Sequence, residues 1–75
     1  MKLSCAKKGV EYKIIKIETN DEEQDLFLFR LGFYDSEKIM VKNINKNNLA
    51  IVVKGSNYNI DKELAECIDV EESGF

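Results

Sequence analysis

Cys5 and Cys67 are the two soft ligands in a sequence that contains no histidine. Two thiolates completed by carboxylate oxygens form a donor set that suits Zn²⁺ or Fe²⁺. If the first and last strands of a small β fold lie side by side, these distant cysteines approach each other. The competing reading is a pair of inert thiols, since cysteine is among the most buried residue types and these two share no ligand spacing. The acidic run Asp21, Glu22, Glu23 and Asp25 could attract Fe²⁺, but the same residues complement the positive end of a helix. Nucleophilic catalysis needs a base beside the nucleophile, and the chain has neither a histidine nor a Gly-x-Ser-x-Gly elbow. No glycine-rich loop is present to cradle a phosphate. Seventy-five residues also leave little room for both a core and a deep substrate cavity. The expectation is a binding or regulatory module rather than an enzyme.

Charge narrows the partners. Eleven basic residues are outnumbered by fourteen acidic ones, for a net charge of −3, and no basic stripe appears. A nucleic-acid-binding barrel is therefore disfavoured. Two cysteines without a secretory leader read as free thiols in a reducing compartment. Leu3-Ser4-Cys5 is no lipid-attachment signal, because the residues before it form no apolar segment. The longest apolar run falls far short of the ~20 residues that a bilayer span needs. A cytoplasmic protein with no direct membrane insertion is expected.

The elements that must hold these residues begin with the run Leu26 to Phe33, the densest apolar stretch and the one substantial helix. Its start is marked by Thr19 with Glu22, or Asn20 with Glu23, each of which fits a capping box. Gly32 suits the left-handed stop, with Phe33 folding back as its apolar partner. At about 100° per residue, Leu28 and Leu31 point one way, Leu26 and Phe29 the opposite way, and Phe27 between them. One face covers a sheet, and the other is surplus.

Around the helix the pattern is short strands and tight turns. Val10 to Ile17 is β-branched, and the adjacent Ile14-Ile15 signals a bulge or burial on both faces. Lys38 to Ile44, Leu49 to Lys54 and the segment around Tyr58 and Ile60 alternate at period two. The loop Asn45 to Asn48 and the turn Gly55 to Asn57 separate them. Asp61 caps one helical turn over Lys62 to Glu66, and Cys67 to Val70 is a last strand. The fold class is mainly β: a small SH3-like, partly open barrel of about five short strands with one α-helix between the first and second. An OB-like barrel is the second choice. Residues 1–75 form one domain, with 71–75 as a loose tail.

The same residues resemble the FeoA family, small proteins of bacterial ferrous iron transport. The likeness runs through Leu3, Gly9, Ile14-Ile15-Lys16-Ile17, Leu28, Leu31-Gly32-Phe33 and Ile39-Met40-Val41. It continues through Ile51-Val52-Val53-Lys54-Gly55 and closes with Leu64 to Val70. The Leu-Gly-Phe element after a capped helix is its most specific part. The chain departs from the family at Ser36-Glu37, where a glycine is usual, and at Asn45 to Leu49, in place of a Gly-Asp-Pro segment. It departs again at Phe27, where the family has a basic residue, and at Ile60-Asp61, in place of a Leu-Arg pair.

The resemblance implies an SH3-like barrel without catalysis of its own. The partner it implies is the membrane ferrous-iron permease with a cytosolic GTP-binding domain. It also implies an alternative, a metal-responsive domain like the C-terminal domain of iron-dependent repressors, binding a transition metal or a regulator. The surplus apolar side chains Leu26 and Phe27 are the expected partner-binding residues, with Tyr34 and Tyr58 beside the turns as secondary ones. A homo-oligomer is the other use for that surface. No cofactor and no metal site are expected, the inert reading of the thiols being favoured, with Cys5 and Cys67 as the weak candidates for transition-metal binding.

Overall fold

The computed structural model describes residues 1–73. A 3₁₀ turn, Leu3–Cys5, precedes β1 (Glu11–Ile17), α1 (Glu22–Arg30), β2 (Lys38–Ile44), β3 (Asn48–Val53), β4 (Ser56–Asp61), α2 (Lys62–Ala65) and β5 (Ile68–Glu72). The strands form one five-stranded antiparallel sheet in the order β4-β3-β2-β1-β5. The edge strands β4 and β5 do not pair with each other, so the sheet curls without closing. This is the expected mainly β, partly open barrel with its helix between the first two strands.

Strand alternation sets the core. In β3, Leu49, Ile51 and Val53 are buried while Asn48, Ala50 and Val52 face outward. In β2, Ile39 and Val41 are buried and opposite them on the partner strand lie Val53 and Ile51. Such cross-strand apolar pairs are the unit of sheet stability. The Ile14-Ile15 signal resolves as a bulge. The β1–β5 register shifts between Ile14 and Lys16, and Ile15 is left 44% exposed while Ile14 is buried. Tyr12 is also buried, and its hydroxyl accepts from the Lys7 backbone N–H at 2.9 Å, so its polar end is satisfied. Leu3 seats the N-terminal turn in the same core.

The final strand runs further than the expected Val70. Glu72 pairs with Tyr12 and Glu71 with Lys13, and the Ser73 N–H donates to the Glu11 carbonyl at 3.2 Å. Residues 71–73 are therefore held against β1 rather than forming a loose tail. The rest of the expected tail, residues 74–75, lies outside the described residues. α1 contributes Leu28 to the core, and Phe33, just after it, is buried in the same cluster.

Candidate interaction site on the first helix

The start of α1 is built by Asp21 rather than by Thr19 or Asn20. The Asp21 carboxylate accepts from the backbone N–H groups of Glu23 at 3.0 Å and Gln24 at 3.3 Å. Asn20 has a φ of +64°, outside the extended region an N-cap requires. Thr19 is used differently. Its hydroxyl donates to Asp25 at 2.6 Å, and its backbone N–H donates to the same carboxylate at 3.1 Å, tying the entry loop to the first turn.

The other end stops as expected. The Gly32 N–H donates to the Phe29 carbonyl, and the Phe33 N–H donates back to the Leu28 carbonyl, both at 3.0 Å. This double bond pattern is the Schellman stop, and Gly32 supplies its left-handed residue at φ +103°. Leu28 and Phe33, each 2% exposed, are the apolar pair that accompanies the stop. The helix backbone is thus pinned at both ends, which fixes the face from which each side chain projects.

Those side chains divide sharply. Leu28 enters the core, whereas Leu26, Phe27 and Phe29 are 50%, 58% and 57% exposed. Leu26 and Phe27 therefore stand where the sequence placed them. Phe29 belongs with them as a third exposed apolar residue, a role already implicit in its helical angle. Phe29 also meets Tyr34, with ring centroids 5.0 Å apart. The Lys54 ammonium lies 4.9 Å above the Tyr34 ring, donates to its hydroxyl and sits 3.8 Å from Glu37. The hydrogen bond to Tyr34 raises the Lys54 pKa above its ordinary 10.5, with a smaller contribution from Glu37. The ladder Phe29–Tyr34–Lys54 links the outer face of the helix to the β3–β4 turn.

Tyr58 is placed otherwise. It is half-buried, its ring meets Phe33 edge-on at a centroid distance of 5.4 Å, and its hydroxyl donates to the Leu31 carbonyl at 3.2 Å. It joins β4 to the end of α1. Between these elements lies a groove of 330 Å³ lined by Phe27, Leu31, Phe33, Tyr58, Ile60 and Leu64, among others. Sequence reading missed this groove, because it is formed by α1, β4 and α2 together. Its lining is mainly apolar, with Gln24, Asn59 and Asp61 as the polar residues.

The two thiols stand elsewhere. Cys5 is exposed at the N-terminal turn, and Cys67 is half-buried after α2, its Sγ 3.6 Å from the Glu63 carbonyl. Among the described residues no group of three or more Cys, Asp or Glu side chains is arranged to hold a metal ion. Among the same residues no helix is long and apolar enough to cross a membrane.

The family model described as the FeoA domain matches residues 1–72. No curated protein matches the sequence significantly. Among solved structures, the crystal structure of an iron uptake regulatory protein (FeoA) superposes with a TM-score of 0.86 at 22% identity, covering 97% of each chain. The solution structure of the FeoA protein from Chlorobium tepidum superposes with a TM-score of 0.90 at 21% identity, covering 99% of this chain and 71% of that one. A manganese-dependent transcriptional repressor contains the same fold in 41% of its length, with a TM-score of 0.84 at 12% identity over 97% of this chain.

Proposed function

The chain belongs to the FeoA family, and on that premise we propose that it is a cytoplasmic, non-catalytic accessory protein of ferrous iron uptake. It acts by docking on the cytosolic GTP-binding domain of a membrane ferrous-iron permease. The observation that carries this reading is the outer face of α1, where Leu26, Phe27 and Phe29 stand half out of the protein on a helix fixed at both ends. A preformed helix backbone lowers the ordering cost of association, and aromatic anchors dominate protein interfaces. The GTP chemistry belongs to the partner, and ferrous iron is its cargo.

The alternative, a metal-responsive domain, is supported by the fold shared with the manganese-dependent repressor. Its ligands would have to come from Cys5 and Cys67, and no carboxylate group completes them among the described residues.

The test is capture of the purified permease cytosolic domain by immobilised protein. Wild type retains the domain, and Phe27→Glu loses it while remaining folded. Retention by both overturns the reading.

A further inference from the structure

β4 is an edge strand, and its pairing phase decides which of its backbone groups are free. Val53 and Ser56 pair across a two-residue turn, Lys54-Gly55, whose φ angles are +53° and +78°. Such a turn closes on a hydrogen-bonded pair, and the pairs alternate from there. At the far end the Lys62 N–H donates to the Asn47 carbonyl at 3.1 Å, which fixes the same phase independently. Ser56, Tyr58 and Ile60 thus direct their backbone bonds to β3. Asn57 and Asn59 direct theirs away from the sheet, as does the Asp61 N–H, whereas the Asp61 carbonyl opens α2; all three residues are exposed.

The 330 Å³ groove runs beside that free row. Tyr58 to Asp61 form one wall, and Phe27 and Leu31 of α1 stand opposite. At its Asp61 end it continues into a second cavity of 250 Å³, lined by Thr19, Gln24, Asp61, Glu63, Leu64 and Cys67. Gln24, Asp61 and Leu64 line both. The charged side chains that line this end, Asp61 and Glu63, are both acidic. Asp21, Glu22 and Glu23 add further carboxylates at the start of α1, the segment that supplies Thr19 and Gln24 to the cavity. Among the described residues none of these carboxylates is in an ion pair.

We propose that the groove takes an extended, basic peptide segment of the partner, added as a sixth strand on β4. The proposal rests on the docking reading above and specifies its geometry. Main-chain bonds to Asn57 and Asn59 and to the Asp61 N–H supply the strand pairing, and alternate side chains enter the apolar groove. A lysine or arginine at the Asp61 end meets Asp61 and Glu63, so charge selects both the segment and its direction.

The test uses two fluorescein-labelled eight-residue peptides that alternate valine and threonine, one ending in two arginines and the other in two glutamates. Amide spectra and hydrogen exchange are followed by NMR, and affinity by anisotropy. The arginine peptide shifts the Asn57, Asn59 and Asp61 amides, slows their exchange, and binds about tenfold or more tighter than the glutamate peptide. That preference collapses in Asp61→Asn/Glu63→Gln, where asparagine still caps α2. Asn59→Pro removes one outward N–H without touching the β3 pairing, and it abolishes binding. The proposal is overturned if neither peptide moves the edge amides, if shifts are confined to α1, or if the two peptides bind equally. It is also overturned if sedimentation shows a dimer that already protects the edge amides without peptide. Capture of the permease domain separates the two levels. If Asn59→Pro retains the domain and Phe27→Glu does not, docking stands and strand addition falls. If wild type fails to capture the domain yet seats the arginine peptide on β4, the reverse holds.

Discussion

Phe27→Glu separates an interface residue from a core residue, and the two cases differ in size. Phe27 is 58% exposed, so less than half of a phenylalanine surface of roughly 200 Å² is removed from water on folding. At about 25 cal/mol/Å² that contact contributes at most about 2 kcal/mol, and less against a realistic unfolded chain. Glutamate restores some of this through its better helix propensity, about a few tenths of a kcal/mol. Its charge is close to neutral in effect, because Glu23 lies one turn before and Arg30 one turn after. The net expectation is a loss of about 1 kcal/mol, a fall in Tm of roughly 4–8 °C for a domain this size. An aromatic anchor at the centre of an interface costs about 2 kcal/mol or more when removed, roughly thirtyfold in affinity. Thermal melts by circular dichroism and calorimetric titration with the permease cytosolic domain measure the two quantities on the same samples. A variant that is unfolded at room temperature, or one that binds with wild-type affinity, refutes the assignment of Phe27.

Four further outcomes are expected. Phe33→Ala, at a side chain 2% exposed, costs about 3–5 kcal/mol in urea unfolding, several times the cost at Phe27. Asp21→Ala removes the oxygen that accepts from Glu23 and Gln24 and lowers stability by about 0.5–2 kcal/mol, whereas Asn20→Ala leaves the cap in place. Lys54 has its pKa raised above 10.5 in the folded protein, so its contact with Tyr34 is fully present at neutral pH and is lost as pH rises through that raised value. Comparing alkaline unfolding of wild type and Tyr34→Phe detects this step, which the variant lacks. Cys5→Ser/Cys67→Ser leaves the melting curve unchanged in the presence of Zn²⁺ or Fe²⁺, and a metal-dependent rise in Tm that requires both thiols would restore the metal reading.

Local signals were readable wherever one element decided the outcome. Lys38–Ile44 is a strand over the whole span that its alternation marked. Asp61 caps α2 through its bond from the Leu64 N–H at 2.7 Å, and Gly32 ends α1 as its position after the apolar run required. What sequence could not show was decided by pairs of elements. Three residues in a row, Thr19, Asn20 and Asp21, have N-cap chemistry, and the choice fell to Asp21 because Asn20 takes the left-handed turn and Thr19 anchors to Asp25. β5 outruns Val70 because Tyr12 and Lys13 lie opposite Glu72 and Glu71, a pairing between residues far apart in the chain. Tyr58 looked like a surface residue beside a turn and instead joins β4 to α1 through Leu31. The exposed apolar face was legible from helical angles alone. The groove beside it was not, since Phe27, Ile60 and Leu64 come from three elements.

The pairing of β1 with β5 has a bearing on synthesis. The hairpins β2–β3 and β3–β4 join neighbours in sequence and form as soon as residues 38–61 are available. β1 emerges first but finds its second neighbour only when Ile68–Glu72 arrives, and the Met1 amine then reaches the Val70 carbonyl at 2.9 Å. A nascent chain stalled before residue 68 therefore carries Tyr12 and Ile14 beside an open flank, a template for the wrong neighbour. Arrival of β5 is the event that covers that flank.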